Sequence, residues 1–207
     1  MDVAVSMVEA YLQVNGYFTV TEYPVLETLR HGDVRTATDI DVLAFRFARV
    51  GAAPKRGGRR RATVGPVVRE PDSALGVEAA RPDMIIGEVK QGAARLNPAM
   101  RDPGVLAAAL VRFGCCDMGA AEDVVQRLLT SGAARTGAGH TIRMVAFGSS
   151  PGRAGGPFRV VGLDHVAAYL RRYLREHRSV LGHAQLTQPT LALLALLDKS
   201  ERPRRRG

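Results

Sequence analysis

The sequence predicts an α/β domain, a central mixed β-sheet flanked by helices. Two observations lead there: five short runs alternate or are rich in β-branched residues, and amphipathic helical stretches stand before, between and after them. The resulting order is helix, three strands, helices, two strands, helix, which suits one sheet with helices packed against it.

Taken in order, 3–15 (VAVSMVEAYLQVN) places Val3, Met7, Tyr11 and Leu12 at helical spacing, and Gly16 offers a stop. The run 17–25 (YFTVTEYPV) reads as a strand whose end is weakened by Pro24. Strands follow at 39–47 (DIDVLAFRF) and 83–90 (DMIIGEVK). Helices are expected at 104–113 and 120–129, the second presenting Val124, Val125, Leu128 and Leu129 on one side. Two more strands, 141–147 and 158–163, flank a Gly/Pro-rich turn. Asp164 is expected to cap a helix at 165–177 with an apolar stripe of Val166, Tyr169, Leu170, Tyr173 and Leu174. The arginines Arg171, Arg172, Arg175 and Arg178 then form its solvent face, and a Leu/Ala-rich helix at 189–199 comes last.

The 207 residues suit a single domain over 1–200, interrupted by a basic insertion at 50–81 with a short hairpin near 62–68. Residues 201–207 read as a basic, disordered tail. Apolar runs fall short of the roughly 20 residues that cross a bilayer, so no membrane association is expected. The first residues lack the basic region of a signal peptide. Cys115 and Cys116 are adjacent, which suits neither an ordinary disulfide nor a zinc site, and they read as core residues at a helix end. A reducing, cytoplasmic setting is the expectation. A net charge of +9 and a pI near 10.3 point to a polyanionic partner. The competing reading is that an arginine-rich composition reflects the coding bias of the source, and charge says nothing about chemistry.

The chemistry is in two strands. Only Lys55, Lys90 and Lys199 are lysines, against 26 arginines, yet IIGEVKQG (85–92) keeps a lysine two residues after a glutamate in an apolar run. Strand side chains alternate, so Glu88 and Lys90 project together with Ile86, while Ile85, Gly87 and Val89 face the other way. Asp39 and Asp41 likewise share a side of the preceding strand. If the two strands are neighbours, Asp41 and Glu88 converge, and paired carboxylates repel unless a cation lies between them. Oxygen ligands suit Mg²⁺ or Mn²⁺, which would act as a Lewis acid on a phosphate and lower the pKa of a bound water. Lys90 would hold or polarise that water, which a permanently protonated guanidinium does less well. The competing reading is an ion pair on an exposed strand end.

"EAYLQVNGYFTV", "TDIDVLAF" and "MIIGEVKQG" together resemble the PD-(D/E)XK nuclease superfamily, with its restriction-endonuclease-like fold. The motifs span about residues 3–92; beyond them only the order of elements is similar. The resemblance implies a metal-dependent phosphodiesterase acting on DNA, less often RNA, with homodimers common. It matches Asp41 to the family's strand-borne aspartate, Glu88 and Lys90 to the (D/E)-x-K pair, and Glu9 to an extra metal ligand on the opening helix. Gln91 falls where several members carry a polar residue. Ile40 precedes Asp41, so the literal PD is absent there, and Pro82-Asp83 is too near Glu88 in the same strand to be its partner. Asp39 stays open as the alternative ligand, with Asp41 preferred because the apolar run starts directly after it.

The cluster Lys55, Arg56, Arg59, Arg60 and Arg61 could grip phosphates, but it has no interleaved aromatics for base stacking. The five histidines lack zinc spacing, and neither a G-x-S-x-G elbow nor a P-loop is present. Two rival functions use the same fold: a non-catalytic nucleic-acid-binding module, and a protein-interaction subunit of a repair or defence assembly docking through the Leu191–Leu197 helix.

Overall fold

The computed structural model describes residues 2–28, 31–48, 70–150, 156–181 and 186–200. The basic cluster from Lys55 to Arg61, the hairpin expected near 62–68 and the tail 201–207 lie outside the described residues.

Helix α1 (Val3–Val14) begins where the Asp2 carboxylate accepts the Ala4 N–H at 2.7 Å. Its buried stripe is Ala4, Val5, Val8, Tyr11 and Leu12. The chain leaves it through Gly16 at φ +86°, a conformation open to glycine. Strands β1 (Phe18–Thr28), β2 (Val34–Arg46) and β3 (Asp83–Ala93) then form an antiparallel meander. After α2 (Pro103–Arg112), α3 (Met118–Ser131) and the short β4 (Ala133–Arg135), strand β5 (Thr141–Ser150) returns parallel to β3. Such a parallel return needs a long crossover, and the two helices supply it. Strand β6 (Arg159–Gly162) and helices α4 (Leu163–Glu176), α5 (Arg178–Leu181) and α6 (Pro189–Ser200) complete the described chain.

The sheet order is β1-β2-β3-β5-β4, with β6 also pairing to β5, so β3 lies in the interior of a mixed six-stranded sheet. One face packs Ile85 and Val89 against Tyr11 and Leu12 of α1 and Val166 and Leu170 of α4. The other packs Met84 and Ile86 against Leu106 and Leu110 of α2 and Val124 and Leu128 of α3. The alternation expected along 85–89 is therefore realised, and the domain is α/β with helices on both faces of the sheet. Among the described residues, no helix is long and apolar enough to cross a membrane.

Several element boundaries differ from expectation. Pro24 lies inside β1 because that strand is an edge, where a missing N–H need not break a ladder. Pairing shifts register only after it, between Val25 and Leu26, and β1 continues to Thr28. Strand β2 starts at Val34, so Asp39 and Asp41 lie within the strand and not at its beginning. Asp164 does not cap α4: the helix starts at Leu163 directly from β6, Gly162 is its N-cap, and Asp164 falls in the first turn. Strand β4 and helix α5 were not expected, since three or four residues are too few to show a period. Cys115 is buried just beyond α2 as expected, with its thiol pushed up to about 11 by burial and by neighbouring Cys116.

Where description resumes at Glu70, polar side chains pin the chain to α1 and α4. The Asp72 carboxylate accepts from the Tyr11 hydroxyl at 2.8 Å and lies 2.6 Å from His165 Nε2, while its backbone N–H donates to Asn15 Oδ1 at 2.7 Å. Burial alone would raise the Asp72 pKa, but hydrogen bonds from His165, the Ala74 N–H and Tyr11 together hold it below its ordinary value. A depressed native pKa gives stability that is present above the ordinary carboxylate range and lost as pH falls through the native value. Asp72→Ala should cost about 2–3 kcal/mol in urea unfolding at neutral pH, because it leaves the buried Tyr11 hydroxyl and the half-buried Ala74 N–H without their acceptor and removes the partner of His165. The gap between variant and wild type should narrow on acidification; a gap independent of pH would contradict this account.

Candidate active site

The β2–β3 ladder ends at Val42 with Gly87, and the next register position sets Asp41 against Glu88. The neighbouring strands required for convergence are therefore in place, and Asp41, not Asp39, is the residue opposite Glu88. Asp39 is exposed and paired with Pro24 of β1.

The three central groups sit at different depths. The Glu88 side chain is 1% exposed, whereas Lys90 is 33% and Asp41 24% exposed. This removes the reading of Glu88 as an ordinary ion pair on an exposed strand end. Asp41 Oδ2 accepts the Val89 N–H at 2.7 Å, which fixes the carboxylate where the ladder would otherwise continue. The Lys90 ammonium donates to Glu88 Oε1 and lies 3.8 Å from Asp41 Oδ2. Among the described residues Glu88 Oε2 has no hydrogen-bond partner, although it is buried. A buried carboxylate oxygen without a partner is costly, and such groups call for a specific explanation.

Burial raises the Glu88 pKa; the hydrogen bond and charge of Lys90 oppose that, and the nearby Asp41 charge adds to it. A raised native pKa means that protonated Glu88 favours the fold, a contribution present below the ordinary carboxylate range and lost as pH rises through the native value. In metal-free buffer, Glu88→Gln should therefore gain in melting temperature over wild type as pH rises through that window. A difference that shrinks over the same range would contradict the burial argument.

The remaining candidates fall elsewhere. Glu9 on α1 accepts from Thr19 Oγ1 at 3.2 Å, and Thr19 pairs with Ala44, three residues along β2 from Asp41. The structure does not bring Glu9 to the carboxylate pair: among the described residues, no three His, Cys, Asp or Glu side chains gather in a metal-holding group. Gln91 joins the end of β3 to the start of α1, its side-chain amide donating to Asp2 Oδ2 at 3.0 Å.

Two neighbours of the site were not singled out from sequence. Glu22 of β1 has φ +52°, and the β1–β2 ladder omits it at the position opposite Asp41, passing from Thr21–Val42 to Tyr23–Ile40. A non-glycine residue in that region stores strain, which clusters at functional sites. Gly148 pairs with Lys90, and a Cβ there would meet the Ala94 backbone at 2.5 Å. Its missing side chain lets the chain after Lys90 cross close over β5, where Ala94 N–H donates to the Ser150 carbonyl at 2.9 Å. Nothing local in the sequence marks Glu22; the glycine after "MVAF" was a signal, read only as the start of a turn.

Fold and site together define a class: an α/β protein carrying two carboxylates and a lysine where two neighbouring interior strands run out of pairing. No family model, curated protein or solved structure matches the chain.

Proposed function

We propose that this chain is a metal-dependent phosphodiesterase acting on DNA, built on a restriction-endonuclease-like fold. The observation that carries the reading is the meeting of Asp41, Glu88 and Lys90, with one buried Glu88 oxygen left without a partner. Support for the fold comes from the order of elements: a helix, an antiparallel three-strand meander and a helical crossover to a strand parallel to the third.

The donor set fits a hard divalent cation. Two carboxylates with hydrogen-bonding capacity to spare suit Mg²⁺ or Mn²⁺, held by Asp41 and Glu88. Such an ion, when bound, supplies Lewis acidity toward a phosphate oxygen and toward water. Asp41 is oriented by the Val89 N–H, so it meets the ion without first reorganising. Lys90, one-third exposed, can reach outward to orient the attacking water and to offset charge building on the phosphate. The net charge of +9 favours a polyanionic substrate.

The direct test incubates plasmid, linear duplex and single-stranded DNA with the protein and Mg²⁺, Mn²⁺ or EDTA. Metal-dependent cleavage is expected. Intact DNA under every condition would end the nuclease reading.

A further inference from the structure

Lys90 does more here than border the two carboxylates. Its ammonium bonds to Glu88 Oε1 and lies 3.8 Å from Asp41 Oδ2, the same pair to which the divalent cation has been assigned. Paired carboxylates need positive charge between them, and this ammonium supplies it. An ammonium and a divalent ion repel each other, so they cannot both neutralise the pair at that distance. The stem has room to leave: Lys90 is 33% exposed, while Glu88 at 1% is fixed in the buried strand.

We propose that Lys90 is an internal counter-ion of the metal-free state, occupying the cation position between Asp41 and Glu88 and leaving it when the metal binds. The inference rests on the reading of Asp41 and Glu88 as metal ligands. Metal loading and lysine release are then one event, so divalent affinity is set by competition with the protein's own side chain. The swing frees the ammonium as the metal arrives, which delivers it toward the reacting phosphate only in the loaded protein. Removing any nearby positive charge tightens cation binding, so the readout that separates a displaced lysine from a stationary one is whether Lys90 itself becomes more accessible when the metal binds.

Two measurements test this without reading activity. In Mn²⁺ titrations by calorimetry, Lys90→Met and Lys90→Gln should each bind about tenfold tighter than wild type, a difference of ~1.4 kcal/mol. The second uses the wild-type chain, whose three lysines make residue-by-residue labelling simple. Reductive methylation followed by mass spectrometry should show Lys90 modified several-fold faster with Mg²⁺ than with EDTA, while Lys199 on α6 stays constant as the internal control.

Variants that bind Mn²⁺ no tighter than wild type, or Lys90 labelling that ignores Mg²⁺, would overturn the counter-ion role. The parent reading fails differently. Tighter binding in the variants together with Mg²⁺-dependent Lys90 labelling, but without any DNA cleavage, would sink the nuclease assignment and leave the counter-ion standing. Metal-dependent cleavage with unchanged affinity would do the reverse, and no metal binding by any of the three proteins would sink both.

Discussion

Asp41→Ala and Lys90→Ala should each lower Mg²⁺-dependent DNA cleavage by about a hundredfold or more, the usual scale for removing one electrostatic or acid–base group from a reacting centre. The two losses should differ in kind. Asp41→Ala removes one of two carboxylates assigned to the ion, so part of its defect should recover at high Mn²⁺. Lys90→Ala leaves both carboxylates in place, so more metal should not restore the rate. Asp123→Asn on α3, an exposed carboxylate paired with Arg127 of the same helix, serves as a control for surface charge. Equal cleavage by wild type, Asp41→Ala and Lys90→Ala would remove the site from the mechanism. Circular dichroism must accompany the Asp41 variant, because that carboxylate also accepts the Val89 N–H.

The largest effect on stability is expected at the opposite end of β3. Arg143 of β5 donates Nε to Asp83 Oδ1 at 2.9 Å and Nη2 to Asp83 Oδ2 at 2.6 Å. Their side chains are only 10% and 3% exposed, and the Tyr17 hydroxyl donates to the same Asp83 carboxylate at 2.6 Å. Removing one member strands the other's charge away from water. Arg143→Met should therefore cost about 3–5 kcal/mol in urea unfolding. For a chain of this size that is a fall of roughly 10 °C in melting temperature. Part of the loss follows from the Leu75 carbonyl, which also accepts from Arg143. The double variant Asp83→Leu with Arg143→Met should recover much of the loss, since a packed apolar pair often replaces a buried ion pair at little cost. A single variant as stable as wild type would mean that the pair contributes nothing net.

These two clusters show what could be read in advance. Asp83 was seen in the sequence only as the second half of a Pro-Asp that could not partner Glu88. Its true partner, Arg143, is 60 residues away, and no local period links them. Glu88 and Lys90 were legible because spacing by two along a strand is local and because lysine is rare in this chain. The same logic placed Ile85 and Ile86 on opposite faces, as the two packed cores now display. Glu9 illustrates the limit: its helix was correctly located, but the hydrogen bond from Thr19 directs its carboxylate to β1.

By itself the sequence determined the α/β character, nearly every element longer than four residues, and the face on which Glu88 and Lys90 project. Those properties follow from repeats of 2 and 3.6 residues, which the chain carries in its own neighbours. Only the tertiary structure decided that β2 lies beside β3, that Asp41 and not Asp39 stands opposite Glu88, and that Glu88 is buried with an oxygen unpartnered. Register and depth depend on which distant strands and helices close over a residue, and a one-residue shift in pairing would have exchanged every side chain between the faces.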